Sequence, residues 1–144
     1  MTGVDPGVLA ERAAAVERHL RRVAARLPTD ASAMRPSSDA ADAVVLHLWQ
    51  AVQIVIDLAV SACVRLGLGS PPTYADAFRL LGNAGVVQQD LAERLARAAG
   101  FRNLVVHAYG ELDMTLVHEA ATGGPADLRA LLSALRSTLE STDG

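Results

Sequence analysis

A short segment in the second half of the chain gathers four side chains suited to chemistry on a phosphate ester. Within Phe101–Tyr109 it holds Arg102, Asn103, His107 and Tyr109. An arginine guanidinium binds phosphate oxygens through paired N–H donors, and a histidine imidazole exchanges protons near neutral pH. The pair suits metal-free phosphodiester cleavage, in which a ribose 2′-hydroxyl attacks the adjacent phosphorus. Because DNA lacks that hydroxyl, the indicated substrate is RNA.

The spacing of these residues on a helix separates the arginine from the histidine. At about 100° per residue, Asn103 and His107 lie one above the other, whereas Arg102 and His107 are about 140° apart. Arg102 can reach His107 from an irregular turn just after Gly100, or from a second copy of the chain across a twofold axis. A purely structural alternative stays open, in which Arg102 pairs with a nearby acid and His107 satisfies a backbone carbonyl in a helix interface.

The elements that must position this cluster are predicted to be helices. The chain has 144 residues, of which 51% are hydrophobic and 3% aromatic, and its abundant alanine favours helix. We expect one all-α domain over residues 1–144, an up-down bundle with one long central helix and short accessory helices. The predicted segments are a first helix to about Leu27, a second over Ala40–Leu66, a short third after Thr73, a fourth over Val87–Ala99 that Gly100 stops, a fifth from Phe101, and a last helix opened by Gly123-Gly124-Pro125.

The predicted second helix is apolar over most of its circumference. Its polar residues Gln50, Gln53, Asp57 and Ser61 form one narrow stripe. A small domain cannot cover such a helix with one layer of neighbours, so we expect part of it to face a second subunit in a homodimer. Asp57 is interpreted as a buried acid that needs a partner, either in a structural salt bridge or lining the site.

Composition excludes several functional classes. The net charge of −3 argues against binding nucleic acid through bulk positive charge, although residues 1–36 hold an arginine-rich stretch that we interpret as a solvated face. The chain lacks a glycine-rich phosphate loop and the common hydrolase motifs. Its one cysteine, Cys63, is predicted to be a small buried hydrophobe. His19, His47, His118 and Trp49 show no metal-binding spacing, so neither a metal nor a cofactor is predicted.

The start of the chain lacks the pattern of a secretory signal. The apolar segment Val44–Leu68 is interrupted by polar residues and is interpreted as too short to span a membrane. We therefore expect a cytoplasmic protein that contacts neither membrane nor DNA.

The motif resembles the arginine-to-histidine signature of the HEPN superfamily, and more closely that of HepT-like toxins from HepT/MntA toxin–antitoxin systems. The resemblance rests on Arg102-Asn103, His107 and Tyr109, and it extends to the segments 56–59, 72–78 and 112–113. It covers about residues 44–119. Ala108 departs from the pattern, because relatives often have an acidic residue there.

The resemblance implies a homodimeric helical bundle with metal-independent endoribonuclease activity at the dimer interface. Arg102 and His107 would be catalytic, and Asn103 would position the phosphate or the histidine. Tyr109 would accept AMP from a partner minimal nucleotidyltransferase, an MntA-like antitoxin, which would silence the toxin. Two alternatives remain: a non-catalytic helical module that binds a nucleotide or a nucleotidyltransferase, and a purely structural dimer.

Overall fold

The computed structural model describes residues 4–143 and shows five α-helices, with no strand among the residues it describes. The helices are α1 (Pro6–Arg26), α2 (Asp39–Arg65), α3 (Tyr74–Asn83), α4 (Gln89–Ala108) and α5 (Met114–Asp143), with short 3₁₀ turns at Ala31–Ala33 and Tyr109–Glu111. The all-α prediction is confirmed. The ends of the predicted domain, residues 1–3 and Gly144, lie outside the described residues.

Local chemistry explains where the first three helices begin. The side chains of Asp5, Ser38 and Thr73 accept hydrogen bonds from backbone N–H groups three residues later, at 2.9, 3.2 and 3.1 Å. Each bond satisfies a donor that the first helical turn leaves without a partner. Gly67 and Gly85 follow the ends of α2 and α3 with φ of 75° and 80°, a backbone region that glycine occupies without strain.

Helix α2 is the centre of the bundle, and each of the other four helices packs against it. By length and apolar composition alone α2 is suited to cross a membrane, although half of its most apolar window is buried inside the protein. Its apolar residues instead form the protein core, including Val44, Leu48, Val55 and Ile56. Only one strip of the helix remains exposed.

The predicted break at Gly100 is wrong, because α4 runs unbroken from Gln89 to Ala108. A glycine inside a helix costs roughly 1 kcal/mol relative to alanine. That cost is offset by tertiary packing, since Leu95 and Ala99 on one side of Gly100 and Val105 on the other are buried in the same core. The predicted fourth and fifth helices are therefore one element.

The last helix begins earlier than predicted. It starts at Met114, after Asp113 accepts a hydrogen bond from Thr115 N at 2.9 Å, and it continues through Gly123, Gly124 and Pro125. A proline inside a helix costs about 3 kcal/mol because it lacks an N–H group. Buried residues on both sides of Pro125 hold the helix together in spite of this cost; they are Val117, Ala121, Leu128, Leu131 and Leu135.

Candidate active site

The two halves of α4 differ in what covers them, and this difference exposes the motif. In the first half, Ala92, Leu95, Ala96 and Ala99 are buried, and Ala92 faces the ten-residue helix α3, where a Cβ added at Gly82 would lie 2.8 Å from Ala92 Cβ. The same side continues one to three turns later, at residues 103, 106 and 107. Because α3 is short, these positions lie in the open, and Asn103, Val106 and His107 are exposed.

Arg102 is held at the edge of this open half by three neighbours. Its Nε donates to Gln53 Oε1 at 2.7 Å, and its Nη1 donates to Asn103 Oδ1 at 3.1 Å. The guanidinium carbon lies 5.0 Å from the centre of the Tyr74 ring, within the range of a cation–π interaction. None of these partners carries a negative charge, so the arginine retains its full charge for an anionic ligand.

The side chain of His107 makes no hydrogen bond with any residue that the structure describes. The purely structural alternative is therefore wrong for both residues. Arg102 pairs with the Gln53 amide rather than with an acid, and His107 bonds no backbone carbonyl among the described residues. The histidine that does so is His118, which bonds Pro28 O at 2.8 Å. The imidazole of His107 is exposed and open to a bound molecule. Since α4 is regular, Arg102 and His107 project about 140° apart within one chain.

Tyr109 follows the last residue of α4 and begins a 3₁₀ turn. Its hydroxyl donates to Asp42 Oδ1 at 2.8 Å, which ties the end of α4 to the beginning of α2. Partial burial and this hydrogen bond to a carboxylate raise the pKa of the Tyr109 phenol. Tyr109 nevertheless remains 46% exposed as a residue, so an outside reagent can approach it.

The interpretation of Asp57 as a buried acid is wrong, because its side chain is exposed. No ion pair to Asp57 is found among the described residues; instead it accepts a hydrogen bond from Gln53 Nε2 at 3.0 Å. Gln53 thus connects Asp57 to Arg102, with its amide nitrogen donating to one and its amide oxygen accepting from the other. Among the described residues, the Asp57 side chain forms no hydrogen bond or ion pair with the motif itself.

Apolar side chains surround the exposed motif. Leu104, Val106 and Leu116 are 51%, 45% and 56% exposed, and Leu46 on the open strip of α2 is 43% exposed. A groove of about 720 Å³ between α2, α4 and α5 opens beside them, with Phe101 and Leu104 in its wall. Leu104 and Leu116 belong to this groove, whereas Val106 projects about 160° away from Leu104 on α4. Exposed apolar side chains of this kind are typical of a protein interface.

The other residues singled out in the sequence lie outside this site. Cys63 is buried and its thiol approaches Ala77 O at 3.4 Å; burial raises its pKa, so it is a poor nucleophile. Trp49 packs against the core with its Nε1 buried and unbonded. Within residues 4–143, no group of three or more potential ligands could hold a metal ion. His19 and His47, however, lie together, which sequence spacing did not suggest.

Sequence reasoning missed three residues of the site: Gln53 and Tyr74, which hold Arg102, and Asp42, which holds Tyr109. Gln53 had been noted only as part of a polar stripe. The sequence signal available for Gln53 was its position one helical turn from Asp57 on that stripe. Its contact with Arg102 could be seen only once the packing of α4 against α2 was known. Asp42 shows no signal in the sequence, since 67 residues separate it from Tyr109.

The chain is similar to known proteins over most of its length. A profile described as ribonuclease HepT-like matches residues 16–135. A protein of Shewanella oneidensis named mRNA nuclease HepT is 28% identical over 110 residues, which are 76% of this chain and 82% of that protein. The sequence resemblance to HepT-like proteins is therefore confirmed.

Solved structures show the same fold. The tri-AMPylated Shewanella oneidensis HEPN toxin, in complex with its MNT antitoxin, superposes with a TM-score of 0.79 at 25% identity, over 90% of this chain and 96% of that one. YutE from Bacillus subtilis, a cytosolic protein of unknown function, superposes with a TM-score of 0.81 at 18% identity, over 99% of this chain and 95% of that one. With its HEPN-type fold and a profile match over most of its length, the chain belongs to the HepT-like ribonuclease family.

Proposed function

We propose that this protein is the toxin of a toxin–antitoxin pair, a metal-independent endoribonuclease whose active site is shared between two copies of the chain. The relatives that support this proposal are an mRNA nuclease and a toxin bound to its antitoxin. In the proposal, residues 1–144 are one helical domain that acts on RNA in the cytoplasm. The protein would require neither a metal nor a cofactor.

The observation that supports a shared site is the regularity of α4. Arg102 and His107 project in different directions from one unbroken helix. A phosphate bound by Arg102 therefore lies on a different side of the helix from His107 of the same chain. A second copy that packs on exposed Val106, which lies between Arg102 and His107 around α4, would bring its own motif to the opposite wall of the cleft. Arg102 of one copy and His107 of the other would then face the same phosphate.

The chemistry follows from the two side chains. His107 takes the proton from the ribose 2′-hydroxyl as its oxygen bonds to phosphorus, or gives a proton to the departing 5′-oxygen as the P–O5′ bond breaks. Arg102 binds the non-bridging oxygens, where negative charge grows in the transition state. Asn103, bonded to Arg102 at 3.1 Å, positions the guanidinium. The products would be a 2′,3′-cyclic phosphate and a 5′-hydroxyl.

Tyr109 is the proposed site of control by a nucleotidyltransferase antitoxin. In the transfer, the Tyr109 oxygen would bond to the α-phosphorus of ATP as pyrophosphate leaves, and the phenolic proton that now donates to Asp42 would be lost. The product has a phosphate with a negative charge at the end of α4. That charge would compete with RNA for Arg102, and the nucleotide would occupy the cleft. The related toxin that is tri-AMPylated in complex with its antitoxin supports this role.

A cleavage assay in EDTA tests the activity. Purified wild type and His107→Ala are incubated with several RNAs, and the ends of the products are analysed. Wild type should cleave and leave 2′,3′-cyclic phosphates, while His107→Ala should keep its helical content and lose cleavage. Activity retained in His107→Ala would contradict the mechanism. Tight binding of a nucleotide or nucleotidyltransferase without any RNA cleavage would favour the non-catalytic module instead.

A further inference from the structure

Two histidines that no part of the proposed mechanism uses meet between α1 and α2. The Nδ1 atoms of His19 and His47 are 3.0 Å apart, and the ring centres are 5.3 Å apart at an interplanar angle of 33°. At this distance one ring donates its Nδ1–H and the other accepts. Both side chains are partly buried, so the pair is a fixed feature of the contact between the two helices.

The histidine pair is surrounded by arginine side chains of α1 that form no ion pair with an acidic residue in the described part of the chain. Arg18, Arg22 and Arg26 follow one another at four-residue spacing on α1. None of their side chains forms an ion pair or hydrogen bond with any residue in the described part of the chain. Their charges act on the rings: Arg22 and Arg18 on His19, and Arg22 and Arg26 on His47. Uncompensated positive charge beside a hydrogen-bonding pair is an arrangement that suits an anion.

The nearest acidic residue of α2 does not neutralise this cluster. Asp42 precedes His47 by five positions, so it projects about 140° away around the helix, and it accepts a hydrogen bond from Tyr109. Partial burial is the main reason that the pKa values of both imidazoles lie below the ordinary histidine value, and the arginines lower them further. A metal cation would meet the same repulsion as a proton, which argues against a metal at this pair.

From this geometry we infer that His19, His47 and Arg22 form a second phosphate site, which holds the RNA backbone away from the scissile bond and takes up one proton when it binds. In the neutral pair, one Nε2 bears a hydrogen and the other has a lone pair. A single added proton turns both Nε2 atoms into donors while the bond between the Nδ1 atoms is retained. A phosphate oxyanion supplies the negative charge that makes this protonation favourable.

The second site and the proposed active cleft lie on different faces of α2. Gln53, which holds Arg102, comes six residues after His47, a rise of about 9 Å along the helix and a rotation of about 120° around it. An RNA strand that contacts both sites must therefore pass around α2. The assignment to RNA rests on the proposed ribonuclease function, whereas the phosphate chemistry of the cluster stands independently.

The test measures binding of a fluorescent 2′-O-methyl oligouridylate, which cannot be cleaved because its nucleophile is blocked. The background variant is His107→Ala, so that the catalytic histidine contributes no proton. Affinity should rise by up to about tenfold per pH unit as the pH falls through the range where the pair takes up its proton, as uptake of one proton requires. His19→Gln and His47→Gln, each checked by circular dichroism, should remove this pH dependence.

Arginine variants test the charge. Arg22→Gln should weaken binding and reduce the slope of log K against log salt by about one. Arg136→Gln removes the same charge from an exposed position on α5 and should change neither property beyond a general electrostatic effect. Equal effects of these two variants, or binding that does not depend on pH, would overturn the inference.

Inorganic phosphate separates the two possible sources of the phosphate group. It should raise the pKa values of His19 and His47 in an NMR titration and should compete with the oligouridylate. Binding of inorganic phosphate without binding of the oligouridylate would overturn the assignment to RNA. Binding of the oligouridylate as predicted, in a protein that cleaves no RNA, would overturn the ribonuclease proposal and leave this site in place.

Discussion

Replacing Gln53 with alanine tests whether Arg102 must be held in place to act. The substitution removes the 2.7 Å hydrogen bond to Arg102 Nε and leaves the contacts with Asn103 and the Tyr74 ring. A hydrogen bond to a charged group is worth roughly 1.5–3 kcal/mol, and we take the lower end because two restraints remain. About 1.5 kcal/mol corresponds to roughly a tenfold fall in kcat/KM, whereas Arg102→Ala should cost about 10²- to 10³-fold.

The assay is initial-rate cleavage of a fluorogenic RNA in EDTA, with two further variants of α2. Gln50→Ala is the matched control, since Gln50 lies on the same polar stripe but makes no hydrogen bond with the described residues. Gln53→Glu keeps an acceptor but places a carboxylate against the guanidinium, so it should reduce the rate more than Gln53→Ala does. Wild-type rates in both Gln53 variants would refute the claim that Gln53 positions a catalytic arginine.

Three further predictions concern the fold and its titrating groups. Gly82→Ala should destabilise the protein by about 1–3 kcal/mol, because a Cβ at residue 82 would lie 2.8 Å from Ala92 Cβ. The Cβ added by Gly100→Ala meets nothing within 4 Å, so this substitution should stabilise the protein by about 0.5–1 kcal/mol. Thermal unfolding compares the two variants, and equal changes in Tm would contradict the packing. Asp42→Asn in a Tyr74→Phe background should lower the pKa of the Tyr109 phenol, measured from phenolate absorbance, and an unchanged pKa would exclude the carboxylate as a cause. The pKa values of His19 and His47 are lowered on folding. Their contribution to stability is therefore present above the unfolded histidine pKa of about 6.5 and is lost as the pH falls through the folded values. Urea unfolding should show this loss in wild type and a smaller loss in His47→Gln, and identical pH profiles of the two proteins would contradict it.

How much of the molecule the sequence could predict depended on the range of the interactions involved. The caps at Asp5, Ser38 and Thr73 were predictable because each depends on atoms within three residues. Gly100 and Pro125 misled because their local preferences are overridden by burial of the residues around them. A helix break is a local tendency of about 1–3 kcal/mol, and core packing on both sides exceeds it.

The features of the candidate site likewise divide into those that local helical geometry predicts and those that tertiary packing determines. The angular separation of Arg102 and His107 follows from helical geometry alone, and the unbroken α4 leaves a second copy of the chain as the remaining route by which they could meet. The contact between Gln53 and Arg102 joins residues 49 positions apart, and that between His19 and His47 spans 28. Such contacts are set by how the helices pack, which no local pattern in one sequence encodes.

The most direct test of a site shared between two copies is complementation between two inactive variants. Arg102→Ala and His107→Ala are each purified, unfolded and refolded together in equal amounts, and RNA cleavage is measured in EDTA. If each site takes Arg102 from one copy and His107 from the other, half of the dimers are mixed and contain one intact site, so about a quarter of the wild-type activity should return. No activity in the mixture, with mixed dimers confirmed by mass spectrometry, would contradict a shared site.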